Sequence, residues 1–167
     1  MANQLFIVCP FSSMETFLQN KYGNDIFFLT CSGAVLQFQD FDFILEVIDF
    51  IVREKIQTIY IANDTSCRFM KGIIMKKKLY GLTSENVMEE LYIDSYFSDF
   101  KDQPIFKQKY KLAELNIKNQ INEILDSSLL GSYISEYDIE IKGLITSKEN
   151  KLYKEILIEN NISTHEL

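Results

Sequence analysis

Three short apolar runs, each closed by small or polar residues, punctuate the first half of the chain. Leu5-Phe6-Ile7-Val8-Cys9, Ile26-Phe27-Phe28-Leu29-Thr30-Cys31 and Ile59-Tyr60-Ile61-Ala62 predict strands over 4–9, about 26–31 and about 58–62. Between the first two, the stretch from Ser12 to Leu18 predicts a short helix under a serine cap, ended by Gly23-Asn24. Asp40-Phe41-Asp42 then opens a helix in which Phe43, Ile44, Val47, Ile48, Ile51 and Val52 make one apolar stripe. After the third strand, Asn63-Asp64-Thr65-Ser66 favours a turn and a helix cap, and the following helix takes in Cys67, Phe69, Met70, Ile73 and Ile74. Strand and helix alternate, which predicts a parallel sheet with right-handed helical crossovers on both faces.

The second half is less regular. Residues 79–107 are ambiguous apart from a helical piece from Ser84 to Leu91, again with a serine at its start. A long amphipathic helix follows over about 109–126, with Leu115, Ile117, Ile121, Ile124 and Leu125 at helical spacing. Two late runs, 139–145 and 152–156, flank the polar turn Ser147-Lys148-Glu149-Asn150 and read as an antiparallel hairpin at one sheet edge. With no repeat, linker or low-complexity segment, residues 1–167 read as a single α/β domain, with 161–167 a flexible tail.

Composition narrows the function. A length of 167 residues suits one core without disulfide staples, and 13 Phe and 9 Tyr against 6 Gly point to a core filled by rings. A formal net charge of -7 argues against nucleic acid as a partner, because that affinity comes chiefly from clustered Lys and Arg. The one basic run, Lys76-Lys77-Lys78, reads as a solvated helix end. The start of the chain lacks the basic region of a signal peptide, and no run reaches membrane-spanning length, so no membrane is expected. Three cysteines without a secretion signal indicate a reducing compartment, the cytoplasm. His165, the one histidine, lies in the polar tail, which leaves no Ser-His or Cys-His nucleophile for the core. No phosphate-binding glycine loop follows the first strand.

What remains is the placement of the thiols. Cys9 and Cys31 close the first two strands and Cys67 lies just beyond the third, so neighbouring parallel strands would bring all three to one carboxyl rim. Open α/β sheets bind ligands at that rim. A small anion or other small molecule could sit there, and Arg68 could reach it or remain at the surface. Thiols gathered there are either free or metal-bound. Buried free thiols and an Asp64 that merely caps its helix are the plainest reading.

Three phrases at that rim carry a resemblance. Cys9-Pro10-Phe11-Ser12-Ser13, Thr30-Cys31-Ser32-Gly33-Ala34 and Asn63-Asp64-Thr65-Ser66-Cys67-Arg68 stand where the β-class carbonic anhydrases carry C-x-D-x-R, an R-N-A-G-N-like turn and G-H-x-x-C-G. Asp25-Ile26-Phe27-Phe28, the phrase from Leu115 to Ile121 and the closing run Ile141-Lys142-Gly143-Leu144-Ile145 extend the likeness, in layout more than in identity, over about residues 4–157.

The resemblance implies a three-layer fold with a four-stranded parallel sheet in order 2-1-3-4, plus an added antiparallel edge strand. It also implies a homodimer, for which Phe27, Phe28, Val35, Leu36 and Phe38 are interface candidates. It implies zinc on the first Cys and on the last motif's His and Cys, which fall on Cys9, Asp64 and Cys67, two sulfurs and an oxygen that zinc accepts, with Cys31 an outside candidate for a fourth, closed position. The Asp-Arg pair that orients the zinc-bound water falls on Phe11 and Ser13. Without that pair no catalytic residue is assigned. The expectation is a pseudoenzyme with an eroded site, lacking efficient CO₂ hydration and kept for a binding, scaffold or regulatory role. The alternative is a zinc lyase that works through Cys9, Asp64 and Cys67.

Overall fold

The computed structural model describes residues 3–77 and 80–156; Lys78, the 161–167 tail and His165 lie outside them. Five strands form one sheet in the order β2-β1-β3-β4-β5. β1 (Asn3–Val8), β2 (Ile26–Thr30), β3 (Ile56–Asp64) and β4 (Glu140–Ser147) run parallel, and β5 (Leu152–Ile156) turns back antiparallel on β4. This is the expected order and edge addition. Of the two late runs, the first completes the parallel set and only the second is antiparallel.

The central strands are apolar without alternation because both faces are covered. From Leu5 to Val8 every residue of β1 is buried, and so is every residue of β3 from Thr58 onward. One face carries the larger core, under α2 (Phe41–Arg53), α3 (Arg68–Ile74), α4 (Thr83–Asp94), α5 (Ile105–Asp126) and α6 (Leu130–Glu136). The other face carries Phe6, Val8, Tyr60, Ala62 and Leu144, packed under Met14 and under Leu18 of α1 (Glu15–Tyr22).

Asp40 caps α2 as expected, accepting the Phe43 backbone N–H at 3.1 Å. The two serine caps are corrected. Met14 is the N-cap of α1, because Pro10–Ser12 first make a 3-10 turn in which Ser12 Oγ donates to the Cys9 carbonyl at 2.6 Å. α4 begins a residue before Ser84, and its cap is the Glu85 carboxylate accepting the Leu82 N–H at 2.8 Å. The ambiguous stretch resolves into α4, a π-helical turn over Tyr96–Phe100 and the first turn of α5. Val52 and Leu125 fall off their stripes, at 50% and 46% exposure, because the inward rows Ile44-Val47-Ile51 and Ile117-Ile121-Ile124 already fill the interface. α5 can seat closely on β4 because position 143 is glycine, where a Cβ would come within 2.4 Å of Ile117 Cγ2.

The register decides which residues share the rim. Val8 pairs with Thr30 on one side and with Ala62 on the other, so the residues that follow, Cys9, Cys31 and Asn63, emerge side by side. β3 runs two residues further, to Asp64, opposite Thr146 of β4.

Candidate functional site

The rim is closed by its own hydrogen bonds. Asp64 is 1% exposed, and both of its carboxylate oxygens are engaged. Oδ1 accepts the Ser66 N–H at 2.8 Å and the Ser66 hydroxyl, while Oδ2 accepts Thr146 Oγ1 at 2.9 Å and the Lys148 N–H at 3.1 Å. Asp64 therefore ties the end of β3 to the end of β4 and shapes the turn that returns the chain to Cys67. It does not cap α3, whose N-cap is Cys67 itself, without a side-chain bond.

That turn brings Cys67 to Cys9. Both are buried, and the Cys9 thiol donates to the Cys67 sulfur. Sharing one proton pushes Cys9 up, an effect reinforced by burial. The same bond lowers the Cys67 thiol to about 7, helped by the Met70 and Phe69 N–H groups and opposed by burial and by the Asp64 charge. The backbone N–H of Gly33 donates to Cys9 Sγ at 3.1 Å, which Gly33 can do because its φ of +69° turns the peptide toward the sulfur. Cys31 stays apart: its N–H continues the ladder to Val8, and burial alone raises its thiol to about 11. All three cysteines are free.

Behind the thiols lies a polar knot that the sequence reading missed. The Gly33 carbonyl accepts from Asn63 Nδ2 at 3.0 Å and from Asn116 Nδ2 at 2.9 Å, and Asn116 Nδ2 also reaches Asn63 Oδ1 at 2.8 Å. Gln120 Oε1, one turn further along α5, accepts the Leu36 N–H at 2.9 Å. Periodicity held the signal: Asn116 and Gln120 lie on the buried face of α5 among Leu112, Ala113, Ile117 and Ile121. A buried amide on an apolar face needs partners.

In front of the thiols stand rings. Phe11 stacks on Tyr80 at 4.2 Å between centroids and on Phe69 at 5.8 Å. Ser13 is exposed and left-handed, and its carbonyl, with that of Ser12, accepts from the Lys148 ammonium reaching over from the β4–β5 turn. A cation therefore stands beside the Ser13 backbone, supplied by a residue 135 positions away. Arg68 is exposed. Among the described residues no group of three or more His, Cys, Asp or Glu side chains converges where it could hold a metal ion. As it stands, the arrangement can hold one proton between two sulfurs.

Among solved structures the chain is similar to β-carbonic anhydrases. One of two tetrameric β-carbonic anhydrases from Sordaria macrospora is 16% identical with a TM-score of 0.81, over 94% of this chain and 81% of that one. The E54A mutant of CafD from Aspergillus fumigatus is 17% identical with a TM-score of 0.77, over 95% and 90%. A Coccomyxa β-carbonic anhydrase in complex with acetazolamide is 15% identical with a TM-score of 0.69, over 94% and 72%. The fold is thus the β-carbonic anhydrase fold. No protein-family profile matches the sequence, and neither does any curated protein.

Proposed function

We propose that this chain, built on the β-class carbonic anhydrase fold, does not hydrate CO₂ efficiently and serves a binding, scaffold or regulatory role. The observation that carries the reading is the saturation of Asp64. A catalytic zinc needs three protein donors and an open fourth position. Cys9 and Cys67 offer two sulfurs, but the carboxylate at the third position already accepts four hydrogen bonds from Ser66, Thr146 and Lys148. Releasing it would leave those donors unpaired, two of them against the buried end of the sheet. The donor set does not fit the family's metal, and no chemical step is routed through one.

Phe11 supports the same reading, because a ring stacked on Tyr80 and Phe69 cannot orient a nucleophile by hydrogen bonding. Lost positioning and general-base help each remove factors of about 100 or more. Elemental analysis of protein purified without chelators, with stopped-flow CO₂ hydration, tests the proposal. The expected outcome is less than one zinc per chain and no hydration above background. One zinc per chain, lost in both Cys9→Ser and Cys67→Ser and accompanied by rapid hydration, refutes it.

That refuting outcome is the second reading, a zinc lyase using Cys9, Asp64 and Cys67. It is favoured by one observation: Cys67 is lowered to about 7, and the thiolate is the form that binds metal. Cys31 remains the outside candidate for a fourth position in that reading, its thiol raised by burial to about 11.

A homodimer through the β2 edge also belongs to the proposal. Phe27, Phe28 and Phe38 are half-buried there, whereas Val35 and Leu36, at 3% exposure each, are already spent within the chain's own core. A reducing compartment such as the cytoplasm belongs to the proposal too, supported by three free cysteines. Among the described residues, no helix is long and apolar enough to cross a membrane.

A further inference from the structure

The carboxyl ends of β3 and β4 open onto a second cleft, of about 510 Å³, that contains none of the cysteines. Its walls are the first two turns of α5 and the turn joining β4 to β5, with Thr65 and Ser147 at the strand ends between them. The volume falls within the range of small-molecule sites, roughly 300–1,000 Å³. The carboxyl rim is also where open parallel sheets take their ligands.

The lining is unfinished in two respects. Its apolar side chains lack cover: Phe106 is 65% exposed and Leu152 41%, with the Tyr110 ring beside them. Its cations are not neutralised either. Lys111 is paired with Asp99 at 3.6 Å and with Glu114 at 3.3 Å, but among the described residues neither Lys107 nor Lys109 has a carboxylate partner. Glu149 is the remaining acid of the lining. Two lysines without a carboxylate partner against one remaining acid give the lining a slight positive bias in a chain of net charge -7. Tyr110 adds a ring edge to the cleft. Its hydroxyl is shielded from solvent and, among the described residues, meets only the Lys154 ammonium, which stands 5.1 Å from the ring centroid and is raised by that contact.

We propose that this cleft binds a small aromatic carboxylate, with the anion drawn in by Lys107 and Lys109 on the two flanks of α5 and the ring packed against Phe106, Tyr110 and Leu152. Apolar walls alone would take any hydrophobe, and the two lysines alone would take any anion. Only a ligand with both features satisfies the whole lining. The proposal stands whether or not the Cys9–Cys67 rim holds a metal, because the two sites share no lining side chain.

Calorimetric titration of the full chain with phenylacetate, phenylacetamide and inorganic phosphate, with amide NMR to locate the contact, decides the matter. Phenylacetate is expected to saturate in the millimolar range or below and to shift the Thr65 and Tyr110 amides. Phenylacetamide and phosphate should each bind about tenfold more weakly or worse. Lys107→Gln with Lys109→Gln should weaken phenylacetate about tenfold, while Lys76→Gln with Lys77→Gln, on an exposed helix end, should leave it unchanged. Equal binding of the amide, equal binding of phosphate, or an affinity indifferent to the Lys107 and Lys109 changes would each overturn the proposal. So would failure of phenylacetate to saturate.

Discussion

At the β1–β3 end of the rim the chain supplies partners to its own buried polar groups, and at the β3–β4 end, among the described residues, it leaves two lysines without a carboxylate. The first region contains an aspartate with four donors, two thiols sharing a proton, and a glycine carbonyl taking two amides. Asn116 Oδ1 is its one orphan among the described side chains. The second has a concave, half-apolar lining with cations facing it. Polar groups satisfied internally contribute to stability, and exchanging their partners for a ligand costs as much as it returns. The contrast thus separates a region whose chemistry is now structural from one whose chemistry is still open.

The largest expected effect comes from breaking the closed region at its centre. Asp64→Ala strands the Ser66 and Lys148 N–H groups, leaves the Thr146 hydroxyl only the longer contacts to the Asn63 carbonyl and Met14 Sδ at 3.5 Å each, and should cost about 3–5 kcal/mol, or a fall in Tm of about 8–15 °C. Chelator should not change that figure, because the loss is of hydrogen bonds and not of a metal ligand. A loss below about 1 kcal/mol in urea denaturation would show that the carboxylate is not structural. The matching change at the open end, Tyr110→Phe, removes a hydroxyl whose one contact is the solvent-exposed Lys154 ammonium, and should leave stability within about 0.5 kcal/mol.

A middle-sized effect tests how tightly the glycine turn is built. An alanine Cβ at position 33 would stand 2.8 Å from Met88 Sδ and 2.9 Å from Phe69 Cε1, at a φ of +69°. Gly81 has a similar φ of +65° but open space around it. Gly81→Ala should therefore cost only the backbone penalty, about 1 kcal/mol, and Gly33→Ala about 2–3 kcal/mol. Equal losses in thermal denaturation would mean that the region behind Cys9 yields easily.

The strands, the crossovers and the rim were legible in the sequence because period and burial agree there: a run such as Leu5-Phe6-Ile7-Val8 has one plausible place in a parallel sheet. The pairing of Cys9 with Cys67 could be reached through the motif resemblance. What could not be read was the direction of Asp64, since a carboxylate at a strand end suits a cap, a ligand or a cross-strand tie equally well, and Thr146, its partner, lies 82 residues away. The Lys148 reach to Ser12 and Ser13 was hidden for the same reason. α6 and the π turn escaped because neither carries a cap or a clean stripe. The cleft depends on α5 starting at Ile105, and that start fell within the stretch with no clear period.

The smallest effect is one of pH, and its sign follows from the shared proton. Cys67 is lowered in the folded chain from the ordinary thiol value of 9.0 to about 7, so its contribution is present above about 9 and is lost as pH falls through about 7. Cys9, raised, and Cys31, raised to about 11, contribute with the opposite sign: theirs is present below about 9 and is lost as the unfolded thiols ionise above it. With chelator present, stability should rise between pH 7 and 9 by about 1–2 kcal/mol and fall beyond. Cys67→Ser should abolish the rise and keep the part of the fall that belongs to Cys31. Urea midpoints across that range compare the two proteins, and the difference between them isolates the pair from other titrating groups. If wild type and variant rise together, the proton is not shared, and the closed region loses the electrostatic feature that most distinguishes it from the open one.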